Sequence, residues 1–231
     1  MDINEMEKQI YSTEGYKING IMRALDMSIQ IFKKNYQEFF NLIKTFDNPV
    51  YNLFFWGDGQ DSKQMRVDFQ IEIYRTFTNF ESSAASLIDH SRNFVKKDIK
   101  DTIKDKYENK KNEYFVKNKL ASFVKDLRNY LIHREYPNIK ISTQFTDGNN
   151  EFTIEKAELM KWSGWTSNSK SFFAEQSEEI SVVLIVETYY KLVVEFYEWL
   201  FNELREEYKE EYAEVNKLIK QFNITFFGDE E

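Results

Sequence analysis

Apolar side chains recur at three- and four-residue steps along most of the chain, the spacing that gathers them on one face of an α-helix. Four long helices follow from it. The first spans about 16–46 and ends at Asp47-Asn48-Pro49, because the residue before a proline avoids helical dihedrals. After a loop through Gly57-Asp58-Gly59, Asp61 or Ser62 caps a second helix, whose stripe Phe69, Ile73, Phe77, Phe80, Ala84 and Leu87 continues to about Phe94. The third begins in the lysine-rich residues 96–114, becomes amphipathic from Phe115 and stops before Pro137. The fourth spans about 177–205 and runs on, past a kink or break, towards Phe222.

A different period interrupts this pattern once. Ile139, Ile141, Thr143 and Phe145 alternate with polar residues, Asp147-Gly148-Asn149-Asn150 supplies turn chemistry, and Phe152 and Ile154 alternate again. The expected fold is mainly α: a bundle of four long helices with a small β-hairpin, about 138–155, inserted between the third and fourth. One domain covers 1–231, with a helical core of about 16–205 and a C-terminal helical extension of about 206–226. Circular dichroism of such a chain shows helix well above half.

Composition narrows the chemistry. Aromatic residues at 17% and charged residues at 30% exclude a disordered tail or a low-complexity array. The absence of cysteine removes disulfides, thiol nucleophiles and Cys-based metal sites. The N-terminal residues are polar, without the basic start and apolar core of a secretory leader. The most apolar stretch, 180–201, carries Glu187, Lys191, Glu195 and Glu198, which suits a core helix and not a bilayer span. A cytoplasmic protein with no membrane partner is expected. The net charge of −8 conceals a basic segment, since residues 96–134 hold twelve Lys and Arg against six Asp and Glu. That segment is either a solvated face laced with ion pairs or an electrostatic footprint for phosphates.

The chain has two histidines, His90 and His133, each close to an arginine. Neither has the spacing of a zinc site, so no metal and no cofactor is expected, and phosphate-binding loops and nucleophile elbows are absent as well. On a helical wheel Val116, Leu120, Phe123, Leu127 and Leu131 form the core stripe, while Arg128, Asn129, Ile132 and His133 group on the opposite side. An aliphatic Ile132 among polar neighbours suggests that something docks there, the simplest candidate being a second copy of the same helix. Asp89, His90 and Arg92 form either a solvated helix end or a set of groups supporting that site. Trp162 and Trp165, beside Gly164, are read as packing, with base stacking the other reading.

The run Arg128-Asn129-Tyr130-Leu131-Ile132-His133, late in a helical chain, resembles the Arg-x4-His motif of the HEPN domain family. The resemblance implies a HEPN-like bundle and a homodimer whose paired Arg and His residues share one cleft. It implies a metal-independent endoribonuclease, of the kind found among toxins and phage-defence effectors, with an antitoxin or activating protein as a further partner. The other implied function is a non-catalytic interaction or nucleotide-binding module. Cleavage through the 2′-hydroxyl of RNA needs a base, an acid and positive charge on the developing phosphorane. One His133 cannot be base and acid at once, so two copies divide those roles, with Arg128 holding the phosphate and Asn129 adding a neutral hydrogen bond. Histidine, with a reference pKa of about 6.5, suits either role. Some family toxins carry a tyrosine two residues after the histidine, which a partner modifies. Here that position is Glu135, followed by Tyr136.

Overall fold

The computed structural model describes residues 2–144 and 149–228. It is 81% helical, with ten helices and one small antiparallel sheet among the described residues. Two long helices form its centre: α2 (Glu14–Ile43) and α4 (Gln60–Asp98). Their aromatic pairs fix an antiparallel packing, because Phe32 meets Phe80, Phe39 meets Phe77 and Phe46 meets Phe69 at centroid distances of 5.1, 6.2 and 4.9 Å. The stripe read from the sequence is the buried face of α4, and Phe69, Ile73, Phe77, Phe80, Ala84 and Leu87 are all in the core. A third long helix, α9 (Val182–Glu207), packs across this pair, with Tyr190 stacked on Tyr36 at 3.7 Å. It breaks at Tyr208 and continues as α10 (Lys209–Phe227).

The expected third helix is two. α5 (Asp101–Lys111) runs into a π-helical turn at Asn112–Val116, and a new helix, α6 (Lys119–His133), starts at Asn118, whose side chain accepts from the Ala121 amide at 3.0 Å. A side chain that fits the capping role so well makes a new start there favourable.

Three short helices escaped the periodicity: α1 (Ile3–Ser12), α3 (Pro49–Phe55) and α8 (Ser167–Ala174), besides the four-residue turn α7 (Lys156–Leu159). Each of the three is capped by a polar side chain, Asp2, Asn48 and Thr166 respectively. Pro49 therefore has a second role, as the first residue of α3. The hairpin strands β1 (Ile139–Gln144) and β2 (Asn149–Glu155) pair with Ile141 opposite Phe152. Phe145, Asp147 and Gly148 of the expected hairpin lie outside the described residues. A third strand, β3 (Glu179–Ser181), pairs with β2 and places Ile180 against Ile154, so the segment read as the first turn of the fourth helix is extended.

Candidate functional site

α6 is wedged between α4 and α9 on one side and α8 on the other. Its buried arc is consequently broader than a single stripe and includes Ala121, Phe123, Val124, Asp126, Leu127 and Tyr130. This corrects the wheel in two places. Val116 is 54% exposed, because it sits in the π turn and is out of register with α6. Arg128, placed on the far side by the wheel, lies at the edge of the buried arc beside Val124, half-buried, with a buried Nε that has no hydrogen-bond partner.

Arg128 lines a cavity of about 530 Å³ between α4, α6, α8, α9 and the π turn. Glu81 of α4 lines it as well. It is 3% exposed, and neither carboxylate oxygen has a hydrogen-bond partner. Burial pushes the Glu81 carboxyl well above the usual range, and the charge of Arg128 opposes that rise. Tyr189 of α9 lines the cavity too, and burial with Glu81 nearby raises its phenol so that it stays a neutral hydroxyl. A second buried acid, Asp126, is fully employed. It accepts from the Thr166 amide at 2.8 Å and from Ser169 Oγ at 2.6 Å, which ties the start of α8 to α6. Ile88, Phe115 and Val124 give the cavity apolar walls, and Arg92 and Lys125 stand among its charged residues.

The remaining residues named from the sequence divide between this cavity and the end of α6. Asp89 and Arg92 line the cavity and pair with each other at 3.0 Å. His90 turns the other way, towards α2, where its Nδ1 lies 2.9 Å from Ser28 Oγ. Asn129 is half-buried, and Ile132 and His133 are exposed in the last turn of α6, with Ile132 at 56%. Tyr136 follows in the loop and packs tilted against Tyr74 at 4.8 Å, while the Tyr74 hydroxyl donates to the Pro137 carbonyl at 2.9 Å. Val67 and Ile71, both at least half exposed, continue the Tyr74 face of α4. Trp165 is core: its Nε1 donates to the Leu159 carbonyl at 2.8 Å, and its ring stacks on Phe123. Trp162 packs edge-on against it, over Gly164.

Six of the twelve cations in the basic segment are paired with acids. Lys100 binds Glu211 at 2.6 Å, Lys106 binds Glu203 at 2.7 Å and Lys119 binds Glu175, while Lys104, Lys110 and Lys111 pair with acids three residues away. Among the described residues Lys96, Lys97, Lys117, Lys125, Arg128 and Arg134 of this segment make no ion pair, and the last four of these lie on α6 or just beyond its ends. No group of three or more acids and histidines among the described residues is arranged to hold a metal ion. None of the described helices is long and apolar enough to cross a membrane.

Glu81 is the residue that the motif search passed over. It falls four residues after Phe77 and three before Ala84, inside the apolar stripe of α4, and an acid in that position was its signal. No protein-family model, curated protein or solved structure matches the chain.

Proposed function

We propose that the protein is a metal-independent endoribonuclease with a HEPN-like helical bundle, acting as a homodimer in the cytoplasm as a toxin or phage-defence effector held in check by a partner protein. The observation that carries this reading is the state of Arg128. Its guanidinium is half-buried yet has no carboxylate within ion-pair distance among the described residues, and His133 stands exposed at the end of the same helix. An arginine without an internal partner is available to an external anion, and a phosphodiester suits its planar donor set.

In the proposed reaction one His133 removes the 2′-hydroxyl proton, O2′ attacks phosphorus, and the P–O5′ bond breaks. His133 of the second copy gives its proton to O5′, leaving a 2′,3′-cyclic phosphate and a 5′-hydroxyl. Arg128 balances the charge that builds on the phosphoryl oxygens, and Asn129 adds a hydrogen bond. The exposed Ile132 supplies the apolar contact between copies.

RNA cleavage in EDTA tests the assignment. The wild type is expected to cut, and His133→Ala and Arg128→Ala each to lose at least about a hundredfold. Cleavage unchanged in both variants removes the site. A second reading, a nucleotide-binding module without catalysis, is favoured by the cavity itself, whose volume lies within the range of small-molecule sites. It gains if no RNA is cut while nucleotides bind.

A further inference from the structure

Glu81 and Arg128 stand out among the cavity residues because each carries buried polar atoms without a hydrogen-bond partner. Asp126 accepts from the Thr166 amide and Ser169 Oγ, Asn168 donates to the Val116 carbonyl at 2.9 Å, and Arg92 holds Asp89. The two oxygens of Glu81 and the Nε–H of Arg128 remain, buried on two residues that line one cavity. Buried polar groups without partners are costly, so a site that keeps three of them together calls for a ligand that answers all three. A ligand that presents two donors to Glu81 and one acceptor to Arg128 satisfies all three, and its two donors favour the ionised carboxylate that burial disfavours in the empty site.

We infer that this cavity binds a guanine nucleotide, with Glu81 accepting from guanine N1–H and the N2 amino group and the Nε–H of Arg128 donating to O6, which leaves the terminal nitrogens of the same guanidinium for a phosphate. Among the four bases only guanine offers donor, donor and acceptor along one edge, the complement of what Glu81 and Arg128 leave free. Adenine offers a single amino donor, and uracil a single ring N–H between two acceptors. Ile88, Phe115 and Val124 give a planar ring apolar walls. Lys125, which has no ion pair, and Arg92, whose pair with Asp89 is exposed, stand ready for the phosphate. The source of the guanine is a guanosine in an RNA strand or a free guanine nucleotide. As a statement about RNA the inference rests on the nuclease reading above, and it then makes guanosine the base selected beside the cleavage point.

Calorimetry on the full-length His133→Ala protein separates binding from cleavage. GMP is expected to bind at least about tenfold more tightly than AMP or UMP, and IMP, which lacks the N2 amino group, to fall between them. Glu81→Gln should lower GMP affinity about tenfold and leave AMP unchanged. Ala85→Leu, which narrows the cavity without touching a polar group, should weaken all nucleotides, provided circular dichroism shows both variants folded. A five-nucleotide RNA with one central guanosine that binds far more tightly than GMP identifies the strand as the source, and equal binding identifies the free nucleotide. Equal affinity for GMP and AMP, no binding of any nucleotide or oligonucleotide, or selectivity unchanged in Glu81→Gln overturns the inference. Cleavage in EDTA that persists without guanine selectivity removes the inference alone. Selectivity without cleavage removes the nuclease and leaves the binding site.

Discussion

Glu81 and Asp126 are both buried carboxyl groups, and their surroundings set them apart. Asp126 is held by an amide and a hydroxyl, whereas Glu81 has no donor and sits beside an arginine that does not reach ion-pair distance. A carboxyl raised above its unfolded value keeps its proton in the folded protein at pH values where the unfolded chain has lost it. Stability therefore falls as pH rises from about 4.3 through the raised folded value, and levels off beyond it. Glu81→Gln removes that loss. Its stability gain over the wild type should be small at pH 4.5 and reach about 1–3 kcal/mol at pH 8, measured by urea denaturation. A gain that is the same at both pH values would show that Glu81 does not titrate in this window. The sequence carried the signal for Glu81 in an acid set within an apolar stripe, but the partner across the cavity was invisible to it. Whether Arg128 faces solvent or Glu81 depends on how α4 and α8 flank α6, which no single helical wheel contains.

At the scale of elements, the long helices were legible because each has one dominant apolar face. α2 and α4 appear within a few residues of their expected starts and ends, and the break before α10 lies where the fourth helix was expected to kink. The short elements were harder to read because caps and tertiary contacts support them more than periodicity does. α1 carries a complete capping box between Asp2 and Glu5, yet buries only Met6 and Ile10. β3 has three residues and exists because β2 offers it an edge. The junction of α2 with α10 depends on a glycine. A Cβ at Gly15 would collide with the Glu211 backbone and with Val215, the buried residue of α10. Gly15→Ala should push α10 away and cost about 1–3 kcal/mol, with α10 becoming sensitive to protease while the melting of the α2 and α4 core remains cooperative. A variant as stable as the wild type, with α10 still protected, would show that the two helices can separate at no cost.

At the scale of the whole molecule, charge and acid–base capacity point the same way. Half of the basic segment is tied to acids, and the unpaired half includes Lys117, Lys125, Arg128 and Arg134, which gather at α6 in an otherwise acidic protein. Such exposed pairs contribute little to stability, so the acidic surface and the small cationic face are better seen as directing where an anion lands. Only one histidine stands near that face, since His90 is engaged towards α2. In the proposed reaction the base and the acid come from two chains, and the exposed Ile132 is the apolar contact between them. Ile132→Asp should convert the dimer to a monomer in light scattering and abolish cleavage without loss of helix. Mixing the wild type with an equal amount of His133→Ala, after time for exchange, should roughly halve the activity per wild-type chain, because half of its dimers then contain a single histidine. Activity strictly proportional to the wild-type chain present, or an Ile132→Asp protein that remains dimeric and active, would place both proton transfers within one chain and leave His133 without a second copy to work with.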